Sequence, residues 1–356
     1  METFSCILKS KFTVIPYLDY LSKKYVKVGE DSPKWRVLYE NSWGQEIETE
    51  QYPKYEYEDV FEYLNLREDG SGPYEFDIPP QKIGTIDLEL LQIIYEGIGD
   101  YPVPYEKYDE EYEMDYEELG CHLHVKVYGM LSNPKIFWNL VNWALILVST
   151  LKPVLCYFYK KGKFRYRNTF TEWSRYATNP ELSSSYNEVD VKDVLNKIRE
   201  SWYGRAYTSV TYNESHKTIE VRALESHPIN GYVISELLYY LTHTVNIDYV
   251  SYDEYIVEDY CMDYTSVSSE VPSLEFKISA SSPLLGKIEH KEYEVSPKKF
   301  YLLLKKLPVW CKLSELSKKV LEYYFIDKKF ISTHQDFLEF CKIKNVKIET
   351  SVVSII

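Results

Sequence analysis

The chain has 356 residues, a formal net charge of −14 and a hydrophobic content of 45%. That size is ample for one large core or two smaller ones, and the apolar content excludes global disorder. The acidic balance argues against nucleic acid spread over the whole surface, which needs Lys and Arg to neutralise phosphates.

In chain order, Phe4–Leu8 is predicted as a first strand and the segment through Tyr25 as a helix. Trp35–Tyr39 alternates as a strand. After a turn at Asn41-Ser42-Trp43-Gly44, the run Gln45–Glu50 reads as extended, with Glu46, Glu48 and Glu50 on one face. Residues 51–80 are rich in Tyr, Pro and acids, with a breaker at Asp69-Gly70-Ser71-Gly72-Pro73. Ile86–Tyr95 is predicted as a helix. Eight acids then crowd between Glu106 and Glu118 against Lys107 alone, the composition of a solvated surface.

Gly120–Val127 alternates cleanly, so His122, His124 and Lys126 share a face, with Leu123, Val125 and Val127 on the other. Asn133-Pro134 opens an apolar helix that is expected to end before Pro153. Asn139, Asn142 and Lys152 interrupt it too often for a membrane span. Lys160–Asn168 and Trp173–Tyr176 are basic and aromatic. Val189–Ser201 is predicted as a helix. Arg205–Tyr212 and Thr218–Leu224 form a hairpin around Asn213–His216, with Thr218, Glu220 and Arg222 on one face.

Tyr232–His243 is apolar at helical spacing, and Leu274–Ile278 reads as a strand. Ser296-Pro297 and the pair Thr333 and Asp336 start helices, and Val346–Val353 is a candidate last strand. Residues 296–356 hold 12 Lys, no Arg and 6 acids, so the first 295 residues carry about −20. The expected division is residues 1–250 and an appended mixed, then helical and basic segment, 251–356. Six cysteines without a Cys-x-x-Cys pair predict reduced thiols, and the N-terminus lacks a signal-peptide pattern. Both point to a cytoplasmic protein, or to a virion for a viral chain. The 36 tyrosines mark a biased source, such as a thermophile or one of its viruses.

Two imidazoles, a carboxylate and a guanidinium on strands are costly to bury, which points to a charged ligand or a metal. Plainer readings stand beside this one. His122 and His124 would also suit a satisfied polar face, Glu220 and Arg222 a cross-strand ion-pair network, and Glu46, Glu48 and Glu50 a solvated strand. His122, His124 and a distant Glu also form a plausible zinc set, without a His-Glu-x-x-His helix to support a hydrolase. The basic aromatic stretch would suit stacking on single-stranded nucleic acid, against the sign of the net charge.

The order of these motifs resembles the amidoligase family, relatives of glutamate–cysteine ligase and glutamine synthetase. The resemblance rests on Trp35-Arg36-Val37-Leu38-Tyr39-Glu40-Asn41-Ser42 running into Glu46-Ile47-Glu48, and on Gly120-Cys121-His122-Leu123-His124. It continues through Arg165-Tyr166 or Arg175-Tyr176 to Thr218-Ile219-Glu220-Val221-Arg222. It covers roughly residues 1–250 and implies an α+β fold, a curved antiparallel sheet with helices on one face. It further implies an ATP- and Mg²⁺-dependent ligase that joins a carboxylate to an amine, on a peptide or small molecule.

In that reading Glu46, Glu48, His122 and Glu220 are metal ligands, and Glu220, Arg222 and His124 are catalytic. Arg165, Arg167, Arg175 and Arg222 bind the phosphates of ATP, a task suited to guanidinium. The chain departs from the family in its first strand, where Ile7 and Lys9 stand in place of two acids. The alternative expectation is therefore a catalytically degenerate relative that acts as a structural or interaction component with a protein partner. Neither reading involves a membrane.

Overall fold

The computed structural model describes residues 17–29, 34–49, 51–68, 74–99, 121–155, 164–165, 210–213, 215–221, 227–252, 267–268, 274–282, 286–292, 297–327, 329, 331 and 333–346. The architecture is α+β, with antiparallel sheets and packed helices. Residues 17–24 are helical (α1). Lys27–Val28 (β1) and Lys34–Trp35 (β2) form a short ribbon. Ser42–Thr49 (β3) is followed by Glu58–Tyr63 (α2), Tyr74–Lys82 (β4), Leu88–Ile98 (α3), Cys121–Lys126 (β5) and Pro134–Leu155 (α4). Phe164–Arg165 (β6), Val210–Asn213 (β7), Thr218–Val221 (β8), Pro228–Thr244 (α5) and Val245–Tyr252 (β9) come next.

The main sheet has the order β4-β3-β5-β8-β7, with every neighbouring pair antiparallel. Its strands alternate in chemistry, so one face is apolar. Ile47, Phe76, Cys121, Leu123, Val125, Val210, Ile219 and Val221 are all buried there. Helices α4 and α5 pack against these strands. Helix α5 comes close to β3 at Gly231, where a Cβ would lie 2.5 Å from the Gln45 side-chain amide carbon. Gln45 itself donates from Nε2 to Cys121 Sγ at 2.9 Å inside the core.

The polar residues within the apolar helix α4 have a structural use. Asn139 Nδ2 donates to the carbonyls of Thr242 (2.8 Å) and Val245 (2.9 Å), and Trp143 Nε1 donates to Val245 O at 3.1 Å. These bonds tie α4 to the end of α5. Asp87 caps α3 by accepting from Leu90 N, and it also accepts from the hydroxyls of Tyr20 and Tyr25. One buried carboxylate thus joins α1 to α3.

Downstream, Val267–Ser268 (β10) pairs with β6. Leu274–Ser282 (β11) and Gly286–Glu292 (β12) join β9 in a second antiparallel sheet. Pro297–Lys306 (α6), Pro308–Lys312 (α7), Glu315–Phe325 (α8) and His334–Ile343 (α9) complete the described elements. Thr333 and Asp336 form a full capping box at α9. The boundary expected at residue 250 falls inside β9, and the helices beyond it pack on α4 and α5. Glu236 of α5 accepts from Ser314 N and Ser314 Oγ, both at 2.8 Å, and from Ser317 Oγ, which seats the N-terminus of α8.

Several sequence expectations need correction. The strand expected over Trp35–Tyr39 is reduced to β2. Val37, Leu38 and Tyr39 are exposed, with no partner strand among the described residues. The turn expected at Asn41–Gly44 is instead the start of β3, and Gly44 sits at an irregularity in its register with β4. Strand β4 was hidden by Pro79-Pro80; it lies at the sheet edge, where a residue without an N–H is tolerated. Helix α4 runs through Pro153 to Leu155, so Pro153 lies in its last turn and removes one backbone N–H···O bond there. Cys311 is exposed, whereas Cys121 and Cys341 are buried.

The expected strand Phe4–Leu8, with Ile7 and Lys9, and the expected helix Val189–Ser201 lie outside the described residues. So does Val346–Val353, apart from Val346, which is not in a strand. Among the described residues no helix is long and apolar enough to cross a membrane.

Candidate metal centre

The other face of the main sheet collects charge. Glu46 and Glu48 come from β3, His122 and His124 from β5, and Glu220 from β8. The register explains their meeting. Glu46 pairs directly with His122, and His124 pairs with both Gly44 and Glu220. The residue opposite His124 on β3 is thus a glycine, and no side chain separates that imidazole from Glu46.

Five of the expected site residues are within reach of one another. His122 Nδ1 lies 3.0 Å from Glu46 Oε2 and 3.7 Å from Glu220 Oε1, and its Nε2 lies 3.7 Å from Glu48 Oε1. His124 Nε2 lies 3.4 Å from Glu46 Oε1, and its Nδ1 is 2.9 Å from Thr218 Oγ1. Asn213 Nδ2 donates to Glu220 Oε2 at 3.0 Å. His122, His124, Glu48 and Glu220 are all buried, while Glu46 is partly so. His122 Nε2 and His124 Nε2 are buried without a hydrogen bond.

The electrostatics follow from this crowding. Burial disfavours a charged Glu46, yet the hydrogen bond from His122 and the charges of both imidazoles hold its carboxyl well below the usual range. Burial likewise disfavours a charged His124, but Glu46, then Glu220 and Asp77, outweigh it and hold the imidazole above its ordinary value. An ionised Glu46 only accepts, so His122 Nδ1 carries the proton in their shared bond. His216 stands edge-on to His124 with ring centroids 5.1 Å apart. Burial and the charge of His124 lower its pKa.

Strand β4 adds residues that the motif reading missed. Glu75 and Asp77 lie on the same face, opposite Glu48 and Glu46. Arg67 forms ion pairs with Glu75, with Asp77 (3.0 Å) and with Glu46 (3.6 Å). Trp35 Nε1 donates to Asp77 Oδ2 at 2.8 Å. The alternation Tyr74-Glu75-Phe76-Asp77-Ile78 is the signal that would have found them.

Five carboxylates here meet the Arg67 guanidinium and the imidazoles of His122 and His124. Potential ligand atoms of Glu46, His124 and Glu220 all lie within 4.8 Å of one another. This donor set, with its unbonded buried nitrogen, fits a divalent cation. The arginines expected to bind phosphate are a different case. Arg167, Arg175 and Arg222 lie outside the described residues, and Arg165 is described only as part of β6. Arg67 is the guanidinium that the described structure brings to the face.

These features define an antiparallel-sheet α+β protein with a carboxylate–imidazole face. No family model matches the chain, and no curated protein matches it in sequence.

Proposed function

We propose that this chain is a divergent carboxylate–amine ligase of the glutamine synthetase-like fold, dependent on ATP and Mg²⁺. The observation that carries the reading is the meeting of Glu46, His122, His124 and Glu220 on three adjacent strands, in the motif order of the resemblance. In such a reaction the γ-phosphoryl group passes to a substrate carboxylate. An amine nitrogen then attacks the acyl carbon, loses a proton and displaces phosphate. A bound divalent cation neutralises phosphate charge. Glu46, Glu220 and His124 would hold that cation, with Glu48 and His122 behind them. Neutral His122 would accept the proton lost by the amine through Nε2, its Nδ1 being committed to Glu46.

The runner-up reading is a catalytically degenerate relative that serves as a structural or protein-interaction component, viral or cellular. It is favoured by Ile7 and Lys9 in place of acids and by the guanidinium of Arg67 among the carboxylates. Calorimetric titration with ATP, with and without Mg²⁺, separates the two. Magnesium-dependent binding that weakens at least tenfold in Glu220→Gln supports the ligase. No binding at millimolar ATP sinks it and leaves the interaction reading.

A further inference from the structure

The register of β3 and β4 sets Glu46 opposite Asp77 and Glu48 opposite Glu75. Like charges placed directly across an antiparallel pair repel, and a cation set between two such pairs relieves that repulsion. Oxygens of Glu46, Glu75 and Asp77 all lie within 4.8 Å of one another, close enough for one ion to touch all three. Arg67 fills that role here. Its backbone bridges to Glu75 through N–H···O bonds of 2.9 and 2.8 Å, which fixes it at the open edge of β4. From there the guanidinium reaches all three carboxylates, while its side chain remains 42% exposed at the rim.

A second observation points to a ligand beside this place, across Glu46. Glu46 Oε1 faces Arg67 on one side and, on the other, the buried His124 Nε2, which has no hydrogen bond. His124 is only 9% exposed and directs this nitrogen at the carboxylates. Glu46 is therefore the shared wall of two adjoining cation positions. One is built with His124 and Glu220, the other from oxygen alone.

We infer that Arg67 stands in for a divalent cation in the second of these positions. The protein therefore takes one metal ion at Glu46–His124–Glu220, and an all-oxygen site for a hard cation such as Mg²⁺ or Mn²⁺ opens only without the guanidinium. The inference rests on the metal reading of this face for its first ion, and on Arg67, Glu75 and Asp77 for its second.

The test is to count Mn²⁺ bound by the full chain, using calorimetry and the metal content of the dialysed protein. The expected result is one ion for the wild type, two for Arg67→Gln, and one again for Arg67→Gln with Glu75→Gln and Asp77→Asn. Equal counts in the wild type and Arg67→Gln overturn the inference, as does a wild type that already binds two. A wild type that binds none beside an Arg67→Gln that binds one defeats the metal reading above, and with it the first ion of this inference, while Arg67 is upheld as the stand-in at the second position. If Arg67→Gln folds only with Mn²⁺ present, the count is made on protein refolded in MnCl₂, and two ions are expected. Failure to fold at any Mn²⁺ concentration overturns the idea, because a metal would then not replace the guanidinium.

Discussion

The two faces of the main sheet are made by the same strands and are buried almost equally. Leu123 and Ile219 are 0% exposed on one face, while His122 is 7% and Glu220 4% exposed on the other. Burial alone therefore does not tell them apart. The difference lies in what surrounds them. The apolar face meets α4 and α5 and gains stability from each methylene removed from water, roughly 0.8 kcal/mol apiece. The polar face holds ionisable groups whose desolvation is offset by each other, by Arg67 and by hydrogen bonds from neutral groups such as Asn213 and Trp35.

Substitutions on the two faces sharpen this contrast. The largest effect is expected from Leu123→Ala, which leaves a cavity beneath α4 and α5 and costs about 3 kcal/mol in denaturant unfolding. Divalent-ion affinity per folded molecule should stay within twofold. A simultaneous loss of metal affinity would show that the faces are mechanically coupled.

Gly231→Ala comes next. Its Cβ would meet the Gln45 side chain at 2.5 Å, so either the helix or the amide must move. A loss of about 2 kcal/mol is expected, as for other overpacked core positions. Gln45→Ala should recover part of it in a double-mutant cycle.

The polar face should show itself in the pH dependence of the metal-free protein. His124 is held above its ordinary value of 6.5, so its contribution is complete below 6.5 and lost as pH rises through the folded-state value. Glu46 is held below its ordinary value of 4.5, so its contribution is present above 4.5 and lost as pH falls. Stability should therefore decline on both sides of this window. His124→Gln should flatten the alkaline limb and weaken the acid one, since the two groups support each other. An unchanged alkaline limb would place the titrating group elsewhere.

Much of this site was legible in the primary structure because it rests on period-two alternation. His122 and His124, Glu46 and Glu48, and Thr218 and Glu220 each had to share a face once their segments were extended. The helix starts at Pro297 and Thr333 were legible for a similarly local reason, since a cap bonds only its own first turn. Strand β4 was harder to find. Pro79-Pro80 argues against a strand unless that strand is known to lie at an edge, and edge position is a property of the sheet.

The sequence by itself determined which residues lie on which side of each strand, because side-chain direction is a matter of local backbone geometry. Only the tertiary structure decided which strands are neighbours and in what register. Those pairings brought Glu46 to His122, left Gly44 opposite His124, and placed Asp77 and Arg67 beside Glu46. Residues as distant in the chain as 46 and 220 become one site through hydrogen-bonded pairing across β3, β5 and β8, and no local pattern encodes that choice.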